Sequence, residues 1–280
     1  MNGIVILNKE SGISSFKASK KVGYLLNEKK VGNLGTLDPA AEGVLPIMLG
    51  KCCKLFDYYL HKTKTYEAEF TFGYETDTLD RDGKTIKDGG SIPSKNDILH
   101  KLNELTGEIS QVPPQYSAKK INGKKACDLA RNNQFVELKP TNIVVYKFEL
   151  LNYNKEKCNF LIECSSGTYI RSLCRDLAYL LNTLATMTKL KRTKVGNFEI
   201  ENAYLISEIE QIKEKSVIKV EDAIELNRID LSDEEFVKLK NGVKIKLKSN
   251  DEKLFAFYKD ELAFFVEKID DLYKVYINFL

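Results

Sequence analysis

Polar and apolar positions alternate most clearly over residues 65–72. Tyr66, Ala68, Phe70 and Phe72 point one way and Thr65, Glu67, Glu69 and Thr71 the other, the period of a half-buried strand. Residues 4–7 read as a first strand, and residues 143–150 and 158–164 as two more joined by a polar hairpin. Helical spacing lies between them. Phe16, Val22, Leu25 and Leu26 form an apolar stripe behind a capping serine, with Lys17, Lys20, Lys21, Lys29 and Lys30 on the solvent side. Residues 52–60 continue as a second helix. Residues 94–107 predict a third, capped by Ser94, stopped by Gly107 and buried through Ile98, Leu99, Leu102 and Leu105. From about residue 221 the pattern changes. Ser232-Asp233-Glu234-Glu235 is a capping box opening a short helix that stops at Gly242. Short strands over 243–247, 254–258, 263–266 and 272–277 then alternate with polar turns. The fold class is α+β, with a large unit, 1–220, and a small β-rich unit, 221–280.

Charge adds a direction to this picture. The 280 residues carry a net +3, but residues 1–220 stand at +7 and residues 221–280 at −4. The excess on the larger unit suits a polyanionic partner, and a solvated lysine-rich surface fits it equally well. Six cysteines include the adjacent Cys52 and Cys53 but no CxxC pair, and only two histidines occur. That pattern argues against a zinc site and a disulfide framework, and for reduced thiols in a cytoplasm. No apolar run approaches the ~20 residues of a membrane helix, and the first residues read as a strand rather than a signal peptide. Asp77, Asp80 and Asp82 do not follow the spacing of a calcium loop, so no metal is expected.

The densest candidate chemistry lies in Gly32-Asn33-Leu34-Gly35-Thr36-Leu37-Asp38-Pro39-Ala40-Ala41-Glu42-Gly43-Val44-Leu45-Pro46. Pro39 fixes its own φ and pushes Asp38 out of the α region, so the carboxylate sits on an extended or turned backbone. Apolar residues from Val44 to Leu49 anchor the far side. An isolated Asp-Pro pair is usually only a turn. This string, however, resembles the GHxGTLDPxAxGVLP loop of the TruB-type tRNA pseudouridine synthases, in which the aspartate is essential.

Other strings resemble the same family in the same order. Lys64-Thr65-Tyr66 resembles its K-x-Y motif. The stretch 73–83 resembles its G-x-x-T-D-T-x-D-x-x-G signature, where the part played is mainly structural. Residues 111–131, with Pro113, Pro114 and Gly123, resemble the QxPPxYSAxKxxGxxxYxxAR segment, a mobile element that holds the T arm of tRNA. Cys127 replaces its later tyrosine. Residues 164–173 resemble C-S-x-G-T-Y-I-R-S-L, whose arginine pairs with the catalytic aspartate, and Glu10 stands where the family's KPxGxTS segment has proline.

The resemblance covers residues 3–200. It implies a pseudouridine synthase catalytic domain with a mixed, mainly antiparallel sheet flanked by helices, followed by a small PUA-like RNA-binding domain. The implied reaction is isomerisation of uridine 55 in the tRNA T loop, without cofactor or metal. Asp38 is the implied catalyst; Tyr66 is the stacking platform for a flipped uracil, with Arg171, Tyr169 and Asn33 as further substrate-binding residues. A guanidinium beside a desolvated carboxylate favours its ionised form and orients its oxygens. Lys9, Lys119, Lys120, Lys124, Lys125, Lys191 and Arg192 are the expected contacts to RNA backbone. The expected partner is the tRNA T stem-loop, with no membrane, no required protein partner and a monomeric, cytoplasmic enzyme.

Asn33 occupies the position of the family's histidine and has no aromatic face. That departure keeps open a non-catalytic tRNA-binding or tRNA-folding protein on the same scaffold. A glycoside or nucleoside hydrolase is the other rival, but it needs a pair of flanking carboxylates, and the loop offers only Glu42 nearby. The guide-RNA-dependent branch of the superfamily is a closer variant. The lysine-rich 111–131 loop and short C-terminal unit favour the stand-alone type.

Overall fold

The computed structural model describes residues 1–280 except His61, Ala118, Asn122, Asn133 and Phe135, and the backbone alone for Asp57, Leu60, Lys120, Ile121 and Lys125. Strand β1 (Gly3–Lys9) leads to helix α1 (Ser15–Leu25), whose cap Ser14 accepts from the Lys17 backbone N–H. Strands β2 (Val31–Asn33) and β3 (Glu42–Leu49) bracket the Asp38 loop. A 3-10 turn over Gly50–Leu55 opens into α2 (Phe56–Leu60), and β4 (Lys64–Phe72) follows. Next come the hairpin of β5 (Tyr74–Thr76) and β6 (Thr85–Asp88), helix α3 (Lys95–Leu102) and strand β7 (Gly107–Gln111). A small hairpin, β8 (Lys120–Ile121) and β9 (Lys124–Lys125), precedes α4 (Ala126–Arg131).

The second half begins with β10 (Thr141–Asn154), β11 (Lys157–Cys164) and α5 (Ile170–Leu180). Strands β12 (Ala185–Val195) and β13 (Phe198–Glu199) and helices α6 (Ile206–Ile212) and α7 (Val220–Ala223) complete the larger part. The C-terminal part holds β14 (Arg228–Asp230), α8 (Asp233–Lys240), β15 (Lys253–Tyr258), β16 (Glu261–Ile269) and β17 (Leu272–Asn278).

The main sheet runs β1-β3-β12-β4-β11-β10-β7, with β2 added on β3 and β13 on β12. Every pairing is antiparallel except β12 with β3, where Lys191 and Arg192 lie opposite Glu42 and Gly43. Strand β4 lies between β11 and β12; on its polar face Thr65 is half-buried and Glu67 exposed, whereas Glu69 and Thr71 are buried with Tyr66, Ala68, Phe70 and Phe72. The strand therefore keeps the expected half-buried alternation over 65–68 and changes to full burial from Glu69 onward. Its polar face is satisfied locally: Glu69 accepts from Thr188 at 2.8 Å and Lys189 at 3.0 Å.

The two sheet faces carry separate apolar clusters. On one, Tyr66, Ala68 and Phe70 pack with Ala18 and Val22 of α1, Ile98 and Leu102 of α3, Leu173 and Leu177 of α5, and Ile209 of α6. On the other, Ile4, Ile6, Val44 and Met48 join Phe198, Val220 and residues Phe255, Phe257, Phe265 and Ile277 of the C-terminal sheet. That sheet, ordered β14-β15-β16-β17, turns its opposite face (Leu254, Ala256, Phe264 and Val266) to a small core of its own with Leu239 and Tyr273. The C-terminal unit thus shares an apolar layer with the main body.

Three expectations change. Phe16 and Leu99 are exposed, because each falls on the outer arc of its helix. Residues 243–247 form no strand; Ile245 makes only an isolated bridge to Tyr273. The strand beside β15 is instead β14, which pairs with it in parallel.

Candidate active site

The Asp38 loop is pinned at both shoulders by a buried cation. Arg192 donates to the Val44 carbonyl at 2.7 Å and to the Gly35 carbonyl at 2.9 Å, so one guanidinium spans the loop. This close approach requires glycine at position 43: its φ is +104°, and an added Cβ would lie 2.2 Å from the Arg192 carbonyl oxygen. Lys9 holds the near side, donating to the carbonyls of Glu10, Ile13 and Pro39. Ser15 completes the cradle, its hydroxyl donating to the Leu37 carbonyl and accepting from the Leu37 N–H, both at 2.8 Å. Arg81 reaches across from the 77–83 loop to Ser11 and the Ala40 carbonyl.

Asp38 emerges from this cradle facing Arg171. The guanidinium grips both carboxylate oxygens, Nε at 2.9 Å and Nη2 at 3.1 Å, the fork geometry that fixes orientation as well as charge. The arginine side chain is 5% exposed and the aspartate 34%, so the pair opens to solvent on the carboxylate side. Arg171 sits in the first turn of α5. Its remaining donors go to the carbonyls of Thr78 at 3.0 Å and Tyr116 at 3.1 Å.

Asp80, read only as part of a structural signature, is a third member of this group. Its carboxylate lies 3.6 Å from Arg171, accepts from the Thr78 hydroxyl at 2.6 Å and is buried. Burial pushes its pKa up, against the hydrogen bond from Thr78 and the charge of Arg171. Leu79, at φ +63°, turns the chain so that the Thr78 carbonyl and Asp80 both reach the arginine. A narrow crevice beside Asp38 is lined by Ala41, Asp80, Met187, Thr188 and Leu190. Two roomier hollows lie in the C-terminal part, around Asn227 and Asp251 and around Lys238 and Lys244, and contain none of these residues.

Tyr66 belongs to the same apolar cluster as Leu37 and Ala41 of the loop and is almost wholly buried. Burial pushes its phenol up to about 12, while the adjacent Arg192 pulls the other way. Tyr169, at the start of α5, is tied through its backbone to Gln111, which accepts from its N–H at 2.8 Å and donates to its carbonyl at 3.1 Å. Ser172 and Arg175 both donate to the Val112 carbonyl, so the 111–117 segment is stitched to α5. Asn33 lies on β2 and donates to the Ser19 hydroxyl at 3.4 Å; it faces α1.

The lysine and arginine expectations divide. Lys9 and Arg192 are corrected: both are buried, Lys9 donating to the carbonyls of Glu10, Ile13 and Pro39 and Arg192 to those of Val44 and Gly35, so neither faces an RNA backbone. Lys119 and Lys124 are exposed and Lys191 is half-buried. The side chains of Lys120 and Lys125 lie outside what the structure describes. Among the described residues, no group of three or more His, Cys, Asp or Glu side chains is placed to hold a metal ion, and no helix is long and apolar enough to cross a membrane.

Two family models match the chain: the N-terminal domain of the TruB family pseudouridylate synthases over residues 23–170, and the tRNA pseudouridylate synthase B C-terminal domain over residues 171–235. The chain is similar to tRNA pseudouridine synthase B of Clostridium kluyveri, 38% identical over 99% of this chain and 92% of that one. It is 39% identical to the protein of the same name from Clostridium tetani, over 98% of both chains. Among solved structures, it superimposes with TM-score 0.71 and 21% identity on a chain of an H/ACA RNP bound to a substrate RNA containing 2'-deoxyuridine, covering 99% of this chain and 85% of that one. At that identity the likeness concerns the fold.

Proposed function

The chain belongs to the TruB family of pseudouridylate synthases, and from that premise we propose that Asp38 is the residue with which it converts uridine to pseudouridine in tRNA, at position 55 of the T loop. The observation that carries the assignment is the two-pronged pairing of Asp38 with Arg171, which leaves the carboxylate side open to solvent beside the crevice. The isomerisation breaks the C1′–N1 bond, turns the uracil and joins C5 to C1′. The C5 proton leaves to solvent and N1 gains one. One oriented nucleophilic carboxylate supplies the covalent chemistry, and the reaction consumes no co-substrate.

A uridine in a stacked loop must be turned out to reach Asp38. Tyr66 lies in the cluster directly associated with the Asp38 loop and is the proposed stacking surface; its present burial means that the entering base displaces neighbours. Arg171 orients the carboxylate. Tyr169 and Asn33 complete the proposed substrate set, Asn33 from the α1 side. Lys119, Lys124 and Lys191, with Lys120 and Lys125, are proposed to meet the T-arm backbone, the 111–131 loop acting as the grip. A monomer suffices for this arrangement. The proposed division is a catalytic unit, 1–220, and a PUA-like unit, 221–280.

Position 55 is tested by incubating the enzyme with an unmodified tRNA transcript and mapping pseudouridine by carbodiimide modification and primer extension. A single carbodiimide-dependent stop one nucleotide 3′ of position 55, lost when that uridine is replaced by cytidine, is expected. Modification elsewhere with position 55 untouched refutes the assignment.

A further inference from the structure

Helix α1 turns a face to solvent that its own fold does not use. Phe16, Lys17, Lys20, Lys21 and Tyr24 are all exposed, and their spacing puts them on one side of the helix. Phe16 is 68% exposed and Tyr24 85%, unusually open for rings of that size. The Lys20 ammonium stands 5.8 Å from the Phe16 ring centroid, so charge and aromatic face are presented together. Lys29 and Lys30 extend the positive surface beyond the helix end. The helix contains no acidic residue, and the nearby Glu28 is occupied by the N-terminal ammonium at 2.7 Å.

The placement of this face is informative. Ala18 and Val22, on the buried side of α1, pack in the same apolar cluster as Tyr66, Leu37 and the residues of α5. Helices α1 and α5 therefore lie on the same side of the sheet as the Asp38 crevice. The helix start is bonded to the Asp38 loop through Ser15 and Leu37. From there the basic face extends about 16 Å, the length of an 11-residue helix. The 111–117 segment is stitched to α5, not to α1. On the other flank of α1, Glu208 and Glu210 of α6 are exposed and would repel a polyanion, giving the basic face one acidic border.

We propose that this face of α1 is a second RNA-binding surface, with lysines taking phosphates and Phe16 and Tyr24 stacking on unpaired bases of the substrate tRNA. Alternating cations and open rings are the combination by which single-stranded nucleic acid is held. The proposal rests on the pseudouridine synthase reading and adds to it a contact independent of the 111–131 loop. Phe16, which sequence spacing assigns to the core, is turned outward by the helix phase and so stands free to meet the RNA.

The test measures binding of unmodified tRNA across a salt series, and conversion in the same samples, for the wild type and three variants. Lys17→Ala/Lys20→Ala/Lys21→Ala should weaken binding at least tenfold and flatten the salt dependence by about 2 in slope, near 0.7–0.9 per lost phosphate contact. Phe16→Ala/Tyr24→Ala should weaken binding at least fivefold with the slope unchanged, since stacking releases no counterions. Lys17→Arg/Lys20→Arg/Lys21→Arg should bind as the wild type does. Variants to alanine that bind with wild-type affinity and slope overturn the proposal while wild-type conversion still supports the enzyme reading. Failure of the wild type to bind tRNA overturns both.

Discussion

Replacing Arg171 by lysine separates charge from orientation at the proposed catalytic pair. The guanidinium makes four short contacts: two to the Asp38 carboxylate at 2.9 and 3.1 Å, and one each to the carbonyls of Thr78 and Tyr116. A lysine ammonium keeps the positive charge but concentrates its donors at one point, and cannot span carboxylate and both carbonyls. At least two charge-assisted hydrogen bonds are lost, each about 1.5–3 kcal/mol. Because one set of atoms shares them, the combined effect on the oriented carboxylate is about 2–4 kcal/mol, which is about 30- to 1000-fold in rate. The assay is single-turnover release of tritium from C5-labelled uracil in tRNA at saturating enzyme, so weakened binding does not enter. Arg171→Met should be worse, and should also lower Tm, because the buried Asp80 and the partly exposed Asp38 would both lose their cation. A lysine variant that turns over within threefold of the wild type would refute the argument that fork geometry, not charge alone, prepares Asp38.

Three further outcomes follow from the same geometry. Gly43→Ala should lower stability by about 2–4 kcal/mol in urea unfolding, since the new Cβ meets the Arg192 carbonyl at 2.2 Å on a backbone of φ +104°. Burial lowers the Lys9 ammonium to about 8. The unfolded chain therefore holds that proton more strongly, and the contribution of Lys9 makes stability rise between about pH 8 and the unfolded value of 10.5. Lys9→Met should be less stable at pH 7, where three hydrogen bonds are lost, and should show a flatter stability profile over that window. Asn33→Ala should cost less than about 1 kcal/mol of stability, because the side-chain hydrogen bond of Asn33 to Ser19 is long at 3.4 Å; a much larger loss of tRNA turnover than of stability would assign it to substrate.

The sequence exposed the parts of the site that depend on local chain. Asp38 is legible because proline and glycines surround it, and Arg171 because it follows a strand and turn and opens a helix. Their meeting, 133 positions apart, is a matter of tertiary structure that only the family resemblance anticipated. Lys9 and Arg192 show what local reading misses. Cations are on the surface by default, and what buries Arg192 is the parallel pairing of β12 with β3, joined across almost 150 residues. Asp80 was hidden for a related reason: its neighbours in sequence suggest a turn, and only the fold brings Arg171 beside it. Residues 243–247 alternate as a strand would, yet β14, supplied from before α8, takes the place beside β15. Phe16 counts as apolar and its spacing assigns it inward, although helix phase with Ala18 and Val22 directs it out.

The most direct test of the central claim uses purified protein and an unmodified T-arm stem-loop labelled with tritium at uracil C5. The account predicts stoichiometric release of tritium to water by the wild type and none by Asp38→Asn, with RNA binding retained in both. Release that persists in Asp38→Asn, or its absence from a wild type that binds the RNA, would contradict the assignment of this carboxylate as the catalyst.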